Sequence, residues 1–306
     1  MISRHRISPN GPEFSRLIYG TWRILDDEDA ANKTPQALLN RFKACADMGI
    51  TTLDTAEIYG LYLVEEAMGG ALKLDKVFRD KIEIVTKCGI YVPCSFHPER
   101  KTAHYNVTAA RIVKSAEKSL RLMGIDHIDL LLVHRPDWLT SADETAAGLN
   151  KLLKDGKIRS AGVSNYNVHQ FDLLNSRMDQ PLVTNQVEFS LLHMDPIYDG
   201  VFDQCQRQRI LPMAWSPLAK GALMAKDDAA AVRLHEKAAE LSAKYGGATL
   251  DQLAYAWIMA HPSCPLPIIG SNKLERIQAC VKAADIQLER EDWYALWVAA
   301  KGHGVP

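Results

Sequence analysis

Two ionisable groups stand five residues apart in the stretch Thr51-Thr52-Leu53-Asp54-Thr55-Ala56-Glu57-Ile58-Tyr59-Gly60, where a β-branched, apolar run ends in an acid and a phenol. A strand that stops on Asp54 and turns through Tyr59 reads as the rim of a site, with the phenol placed to deliver a proton and the carboxylate to influence its acidity. Two further strand-like runs end in the same way: Lys87 follows Ile84-Val85-Thr86, and His134 follows Leu131-Leu132-Val133. Acid, phenol, ammonium and imidazole are the side chains of proton transfer. Each alone has an ordinary structural explanation: Asp54 bonding loop amides, Lys87 solvated at a strand end, Tyr59 packing with a wet hydroxyl, His134 satisfied before Pro136. Their placement at consecutive strand ends is what singles them out.

The elements that must bring them together alternate along the chain. Residues 4 to 18 form two short runs around Ser8-Pro9-Asn10-Gly11, a hairpin signal expected to cap one end of the fold. Ile18 to Trp22 is a first strand. Thr34-Pro35, then Leu38, Leu39, Phe42, Cys45 and Met48, then Gly49, marks a helix with its cap, its first-turn proline and its terminating glycine. Strands follow at Thr51–Asp54, Lys81–Gly89, Ile128–His134, Ile158–Asn165, Leu182–Val187, Ile210–Ser216 and Pro267–Ser271. Helical spacing is read at Val64–Leu74, Thr108–Met123, Asp143–Lys154, Gln170–Arg177, Asp195 through Cys205, Val232–Tyr245 and after Thr249. The nearly continuous apolar run at Ile128–Val133 suits a strand buried on both faces of a parallel sheet.

Eight strands separated by helices, with no linker or low-complexity tract, predict a single α/β domain over residues 1–306: a (β/α)8 TIM barrel capped at one end by an N-terminal β-hairpin. Alternation alone would also fit a doubly wound sheet, but no G-x-G-x-x-G follows any strand. In a barrel Asp54, Lys87 and His134 share the carboxyl-end rim, with Tyr59 on the loop after strand two.

Composition limits the partners. The chain has 306 residues and sets 36 Lys and Arg against 37 Asp and Glu, for a net charge of −1, so nothing favours nucleic acid or an anionic membrane. Its six cysteines make no C-x-x-C or metal-ligand spacing, which predicts reduced thiols in the cytoplasm and no metal. No apolar run approaches the ~20 residues of a bilayer span. A small molecule is the expected ligand, and a monomer or weak homo-oligomer the expected state.

The run from Thr52 to Gly60, with Lys87 and His134 at their strand ends, resembles the aldo-keto reductase superfamily and, within it, the bacterial YdhF-like branch. The similarity extends from about Arg16 through Gly162-Val163-Ser164-Asn165, Thr184-Asn185-Gln186-Val187-Glu188, Trp215-Ser216-Pro217-Leu218 and Ile269-Gly270-Ser271 to Arg276, in family order. The resemblance implies reduction of aldehydes, ketones or quinones to alcohols with hydride from NADPH, NADH being the less favoured cofactor. Tyr59 would be the general acid, Lys87 would lower its pKa, Asp54 would compensate the lysine, and His134 would orient the substrate oxygen.

By the same resemblance, Ser164, Asn165 and Gln186 would hold the nicotinamide amide, and Trp215 would stack on the ring. Ser216, Pro217, Leu218, Lys220 and Gly221 would line the pyrophosphate. Ile269, Gly270, Ser271, Lys273 and Arg276 would surround the adenosine 2′-phosphate. Gly20, Thr21 and Trp22, at the end of strand one, join the cofactor set, while Trp138, Tyr91 and the loop from Pro93 to His104 are candidates to border substrate. Three departures from relatives stand out: Trp215 where tyrosine is frequent, Arg135 where many have tryptophan, and Ala279 and Cys280 where Glu and Asn are common. A non-catalytic NADP-binding regulatory subunit and a Lys87 Schiff-base lyase are the alternative functions.

Overall fold

Eight short parallel strands close on themselves, each hydrogen-bonded to the next, in a computed structural model that describes residues 2–225 and 227–306. The strands in chain order are β1 (Arg4–Arg6), β2 (Glu13–Ser15), β3 (Ile18–Gly20), β4 (Thr52–Asp54), β5 (Glu83–Cys88), β6 (Ile90–Tyr91), β7 (His104–Tyr105), β8 (Leu130–Val133), β9 (Ala161–Ser164), β10 (Asn185–Glu188), β11 (Met213–Trp215) and β12 (Leu266–Ile269). The barrel runs β3-β4-β5-β8-β9-β10-β11-β12 and back to β3. Helices α1 (Pro35–Asp47), α2 (Tyr59–Tyr62), α3 (Val64–Leu74), α4 (Ala109–Met123), α5 (Ala142–Lys154), α6 (Val168–Asn175), α7 (Asp195–Tyr198), α8 (Val201–Gln208), α9 (Ala229–Ser242), α10 (Leu250–Met259), α11 (Leu274–Ala283) and α12 (Arg290–Lys301) complete the chain. This is the (β/α)8 barrel expected from the alternation.

The apolar residues sort into two bodies. One fills the barrel: Ile18, Val85, Leu130, Leu132, Val183, Met213, Leu266 and Ile268 point inward and are joined by Ile7 and Phe14. Those last two come from the antiparallel hairpin β1–β2, which closes the end where the barrel strands begin. Its attachment there is explicit, since Leu211 donates its amide to Ile7 O at 2.8 Å and Ser15 donates to Thr52 Oγ1 at 3.0 Å. The other body is the larger shell between strands and helices, into which α4 turns Ile112, Ala116 and Met123. With one end plugged, the open end is the carboxyl rim, where side chains after β4, β5 and β8 project.

Several boundaries differ from the sequence reading. The helix expected from Asp195 through Cys205 is two, because Gly200 takes a φ of 83° and breaks it between α7 and α8. The loop between β5 and α4 contains a two-stranded hairpin, Ile90 pairing with Tyr105 and Tyr91 with His104. The helix read after Thr249 is α10, opened by a capping box of Thr249 and Gln252. No helix among the described residues is long and apolar enough to cross a membrane.

Candidate active site

The turn after β4 is held from both neighbouring strands. Thr21, just past β3, donates its amide and its hydroxyl to Asp54 O at 2.9 and 3.0 Å. On the other side Thr55 donates to Val85 O and Glu57 to Lys87 O, extending the β4–β5 ladder past the end of β4. The chain then reverses: Tyr59 N bonds to Ala56 O, and Gly60 takes a φ of 56°, where an added Cβ would also meet Val64 Cγ2 at 2.9 Å. A left-handed position crowded by a neighbouring side chain favours glycine. The turn aims Tyr59 back over the barrel mouth, against the edge of His134, whose ring centroid lies 6.0 Å away.

Lys87 is fully buried and all three of its ammonium protons are used. Nζ donates to Asp54 Oδ2 at 2.7 Å, to Thr55 O at 2.8 Å and to Tyr59 Oη at 3.0 Å. Because the phenol oxygen accepts from Lys87, the phenol's own proton must point elsewhere, and the cavity is where the ring is exposed. Burial pulls the Lys87 pKa down, but Asp54 and Tyr59 more than restore it, and the net direction is up. The group therefore stays a cation.

Burial is the strongest influence on the other two groups. It pushes the Tyr59 pKa up, against the downward pull of the Lys87 charge and hydrogen bond, and the net direction is up. Lys87 acts in the expected direction, but desolvation of a phenolate in this site outweighs it. At His134, burial and the positive charges of Lys87 and Arg135 all act downward, holding the imidazole well below its ordinary range. The imidazole is neutral at pH 7. Between these two groups, the proton held at neutral pH on an acidic atom belongs to Tyr59.

A second network joins β9, β10 and β11. Ser164 Oγ donates to Gln186 O at 2.9 Å, Asn165 Nδ2 donates to Ser164 Oγ at 2.7 Å, and Trp215 Nε1 donates to Asn165 Oδ1 at 3.0 Å. Asn165 sits at φ 59°, a left-handed position that asparagine tolerates better than most residues. The amide of Gln186 bonds Asp54 Oδ1 at 2.8 Å, so this network reaches the charge pair. After β11 the backbone turns through positive φ at Ser216, Ala219, Lys220 and Gly221.

A cavity of about 710 Å³ opens at the carboxyl rim and connects the two groups of residues. Of the four ionisable residues singled out in the sequence, Asp54, Tyr59 and His134 line it, and Lys87 lies immediately behind them. Gly20, Trp22, Ser164, Asn165, Gln186, Trp215, Ser216, Pro217, Leu218, Lys220, Gly221, Gly270, Ser271 and Arg276 also line it. Thr21, Ile269 and Lys273 do not. Thr21 and Ile269 are fully buried, the first spent on Asp54 O and the second in the shell between strands and helices. Lys273 is exposed at the start of α11. Tyr91, Trp138 and the 93–104 loop are likewise outside the lining.

Arg23, Arg135, Met224, Asp251, Tyr255, Ile268 and Cys280 complete the wall. Asp251 and Tyr255 are four apart on α10, a spacing that puts two side chains on one helix face, but the sequence alone does not say which face meets the cavity. Four cationic side chains, Arg23, Arg135, Lys220 and Arg276, stand here against Asp54 and Asp251 in a chain that is nearly neutral overall. Asp54 is already matched by Lys87, which leaves the cavity positive.

A parallel barrel with ionisable residues gathered at the carboxyl ends of β4, β5 and β8, beside a cavity lined by four cationic side chains, has the architecture of a barrel enzyme with its site at the carboxyl rim. Its family follows from comparison with known proteins: residues 16–298 match the aldo/keto reductase family, and the chain belongs to that family of NAD(P)H-dependent oxidoreductases. The chain is 43% identical over its full length, and the relative's, to the oxidoreductase YdhF of Escherichia coli (strain K12). It is 43% identical to a 6-dehydroglucose reductase of Agrobacterium fabrum, over 96% of each chain. Among solved structures, an aldo/keto reductase from Klebsiella pneumoniae in complex with NADP and acetate superposes with a TM-score of 0.75 at 27% identity, covering 95% of this chain and 94% of its own.

Proposed function

We propose that the protein, working as one barrel domain, reduces small aldehydes and ketones to alcohols with NADPH, and that Tyr59 is the general acid. The observation that carries this reading is the saturated ammonium of Lys87. Its bonds to Asp54, Thr55 and Tyr59 fix the phenol oxygen as an acceptor from behind, so that the phenol can donate only toward the cavity. The same ammonium then stabilises the phenolate left after transfer, and Asp54 balances the lysine charge. Neutral His134 donates a ring N–H to the carbonyl oxygen beside Tyr59 without competing as the acid. The bound nicotinamide supplies the hydride.

The cavity suits that cofactor. Trp215 presents a ring at the Tyr59 end, Ser164, Asn165 and Gln186 present polar groups beside it, and Gln186 Oε1 makes no hydrogen bond among the described residues. Lys220 in the left-handed turn and Ser271 with Arg276 supply cationic and hydroxyl partners for phosphates, and Arg276 favours a 2′-phosphate, hence NADPH. The NADP held by the Klebsiella protein and the reductase name of the Agrobacterium relative support the same reading. A Schiff-base role for Lys87 requires a free amine, whereas this one is held charged with every proton engaged. Nothing in the site favours the regulatory-subunit alternative.

Tyr59→Phe tests the reading directly. NADPH oxidation with an aromatic aldehyde should fall by ~10²–10⁴-fold, while NADPH binding measured by fluorescence stays within a factor of a few. A variant that turns over normally overturns the assignment.

A further inference from the structure

Arg135 carries a guanidinium that the described chain leaves unused. It follows His134 directly after β8, lines the cavity, is half-buried, and stands 5.9 Å from the centre of the Trp215 ring. Among the described residues no carboxylate oxygen comes within 4.0 Å of it, and its side chain makes no hydrogen bond. Its charge acts on both Tyr59 and His134, which places it at the reacting end. Of the other cations of the cavity, Lys220 pairs with Glu188 at 4.0 Å, Arg23 lies over the Trp22 ring at 5.2 Å, and Arg276 faces the cavity from α11.

A half-buried guanidinium with five unclaimed N–H groups beside a proton donor is an incomplete arrangement, because partial desolvation is not offset by any protein acceptor. Its rigid planar fork matches a carboxylate, with two parallel N–H···O bonds that a lysine cannot reproduce. Resting on the reading of Tyr59 as the proton donor, we propose that Arg135 is a specificity residue that binds a carboxylate on the substrate, so that the preferred substrates are carbonyl compounds carrying a carboxylate remote from the reacting carbonyl.

The test compares 4-carboxybenzaldehyde with 4-methylbenzaldehyde, a matched pair that differs in the remote charge. The parent enzyme should show kcat/KM at least ~10-fold higher for the carboxylated aldehyde, mostly through KM, and the advantage should shrink as ionic strength rises. Arg135→Met should lower the ratio by ~10–100-fold, and Arg135→Lys should restore part of it by charge without the fork. Binding gives a readout independent of turnover. Quenching of tryptophan fluorescence in the NADP⁺-loaded enzyme should be tighter with 4-(hydroxymethyl)benzoate than with 4-methylbenzyl alcohol, and Arg135→Met should abolish the difference.

Equal losses for both aldehydes in Arg135→Met would make Arg135 a modulator of Tyr59 and overturn the proposal, as would a preference for neutral glyceraldehyde over the carboxylated substrate. If neither aldehyde is reduced, the proposed function fails, while the fluorescence comparison still decides the carboxylate site.

Discussion

Gln186 donates Nε2 to Asp54 Oδ1 at 2.8 Å across 132 positions of sequence, while the other oxygen of Asp54 accepts from Lys87 at 2.7 Å. One carboxylate therefore joins β10 to the buried charge pair of β4 and β5. Gln186, proposed to hold the nicotinamide amide, thus shares an acceptor with Lys87, proposed to stabilise the phenolate, and the two networks are mechanically one.

That sharing sets the cost of breaking the pair. With side-chain exposures of 0% for Lys87 and 3% for Asp54, removing either partner strands a charge away from water. Lys87→Met should destabilise the fold by about 3–5 kcal/mol. Adding Asp54→Asn should recover much of that loss while turnover stays absent. Denaturant unfolding of the two single variants and the double variant checks it, and a double variant no more stable than Lys87→Met would deny the stranded charge.

The pH dependence of activity has a defined sign. His134 is held well below 6.5, so the free enzyme takes up no proton there as pH falls from 8 to 6, and kcat/KM should show no acid limb near the ordinary histidine value. Tyr59, raised above 10, loses its proton only in strongly basic solution, so the same profile should stay flat through pH 9. Initial rates from pH 5.5 to 10 give the curve. An inflection at pH 6.5 that disappears in His134→Gln would show a charged imidazole at work.

Asp54, Lys87 and His134 were legible because strand ends in a parallel barrel share one rim and each stands at or directly after an apolar run that announces its strand, and Tyr59 because it follows on the loop after the second strand. Finer placement depended on distinctions of one residue. Gly20 faces the cavity while Thr21 turns back to Asp54, and Gly270 lines it while Ile269 enters the outer shell. Arg276 lies inside α11 and meets the cavity, whereas Lys273 three residues earlier is the N-cap, in extended backbone, and stays outside the lining, a boundary the sequence does not fix. The direction of the Tyr59 shift was also hidden: Lys87 as a neighbour can be read from strand order, but how far burial opposes it depends on the walls supplied by β8 to β11.

Glu65 supplies a pH effect on stability away from the cavity. It accepts hydrogen bonds from Thr86 Oγ1 at 2.7 Å and Ser119 Oγ at 2.9 Å, yet burial pushes its carboxyl up from 4.5 to about 7. The folded chain thus keeps a proton that the unfolded chain has released. The stabilising contribution is complete below pH 4.5 and is lost as pH rises through about 7, a change on the order of 3 kcal/mol. Glu65→Gln cannot ionise, so its melting temperature relative to the parent should be higher at pH 8 than at pH 5. Because His134 titrates alike in both proteins, the difference between them isolates Glu65. A pH-independent difference would place the Glu65 pKa at its ordinary value.

The proposed preference for NADPH rests on Arg276. It lines the cavity from the first turns of α11, near Ser271, whereas Lys273 is exposed and outside the lining. A 2′-phosphate bound there gains charge-assisted hydrogen bonds that NADH cannot make. Arg276→Ala should raise KM for NADPH by ~10–100-fold and leave KM for NADH within a factor of about three, while Lys273→Ala should leave both nearly unchanged. Steady-state kinetics with each cofactor at a saturating aldehyde concentration measure all four effects. Equal loss with NADPH and NADH in Arg276→Ala would assign the arginine to a part of the cofactor that both share, and a larger effect at Lys273 would move the 2′-phosphate to the start of the helix.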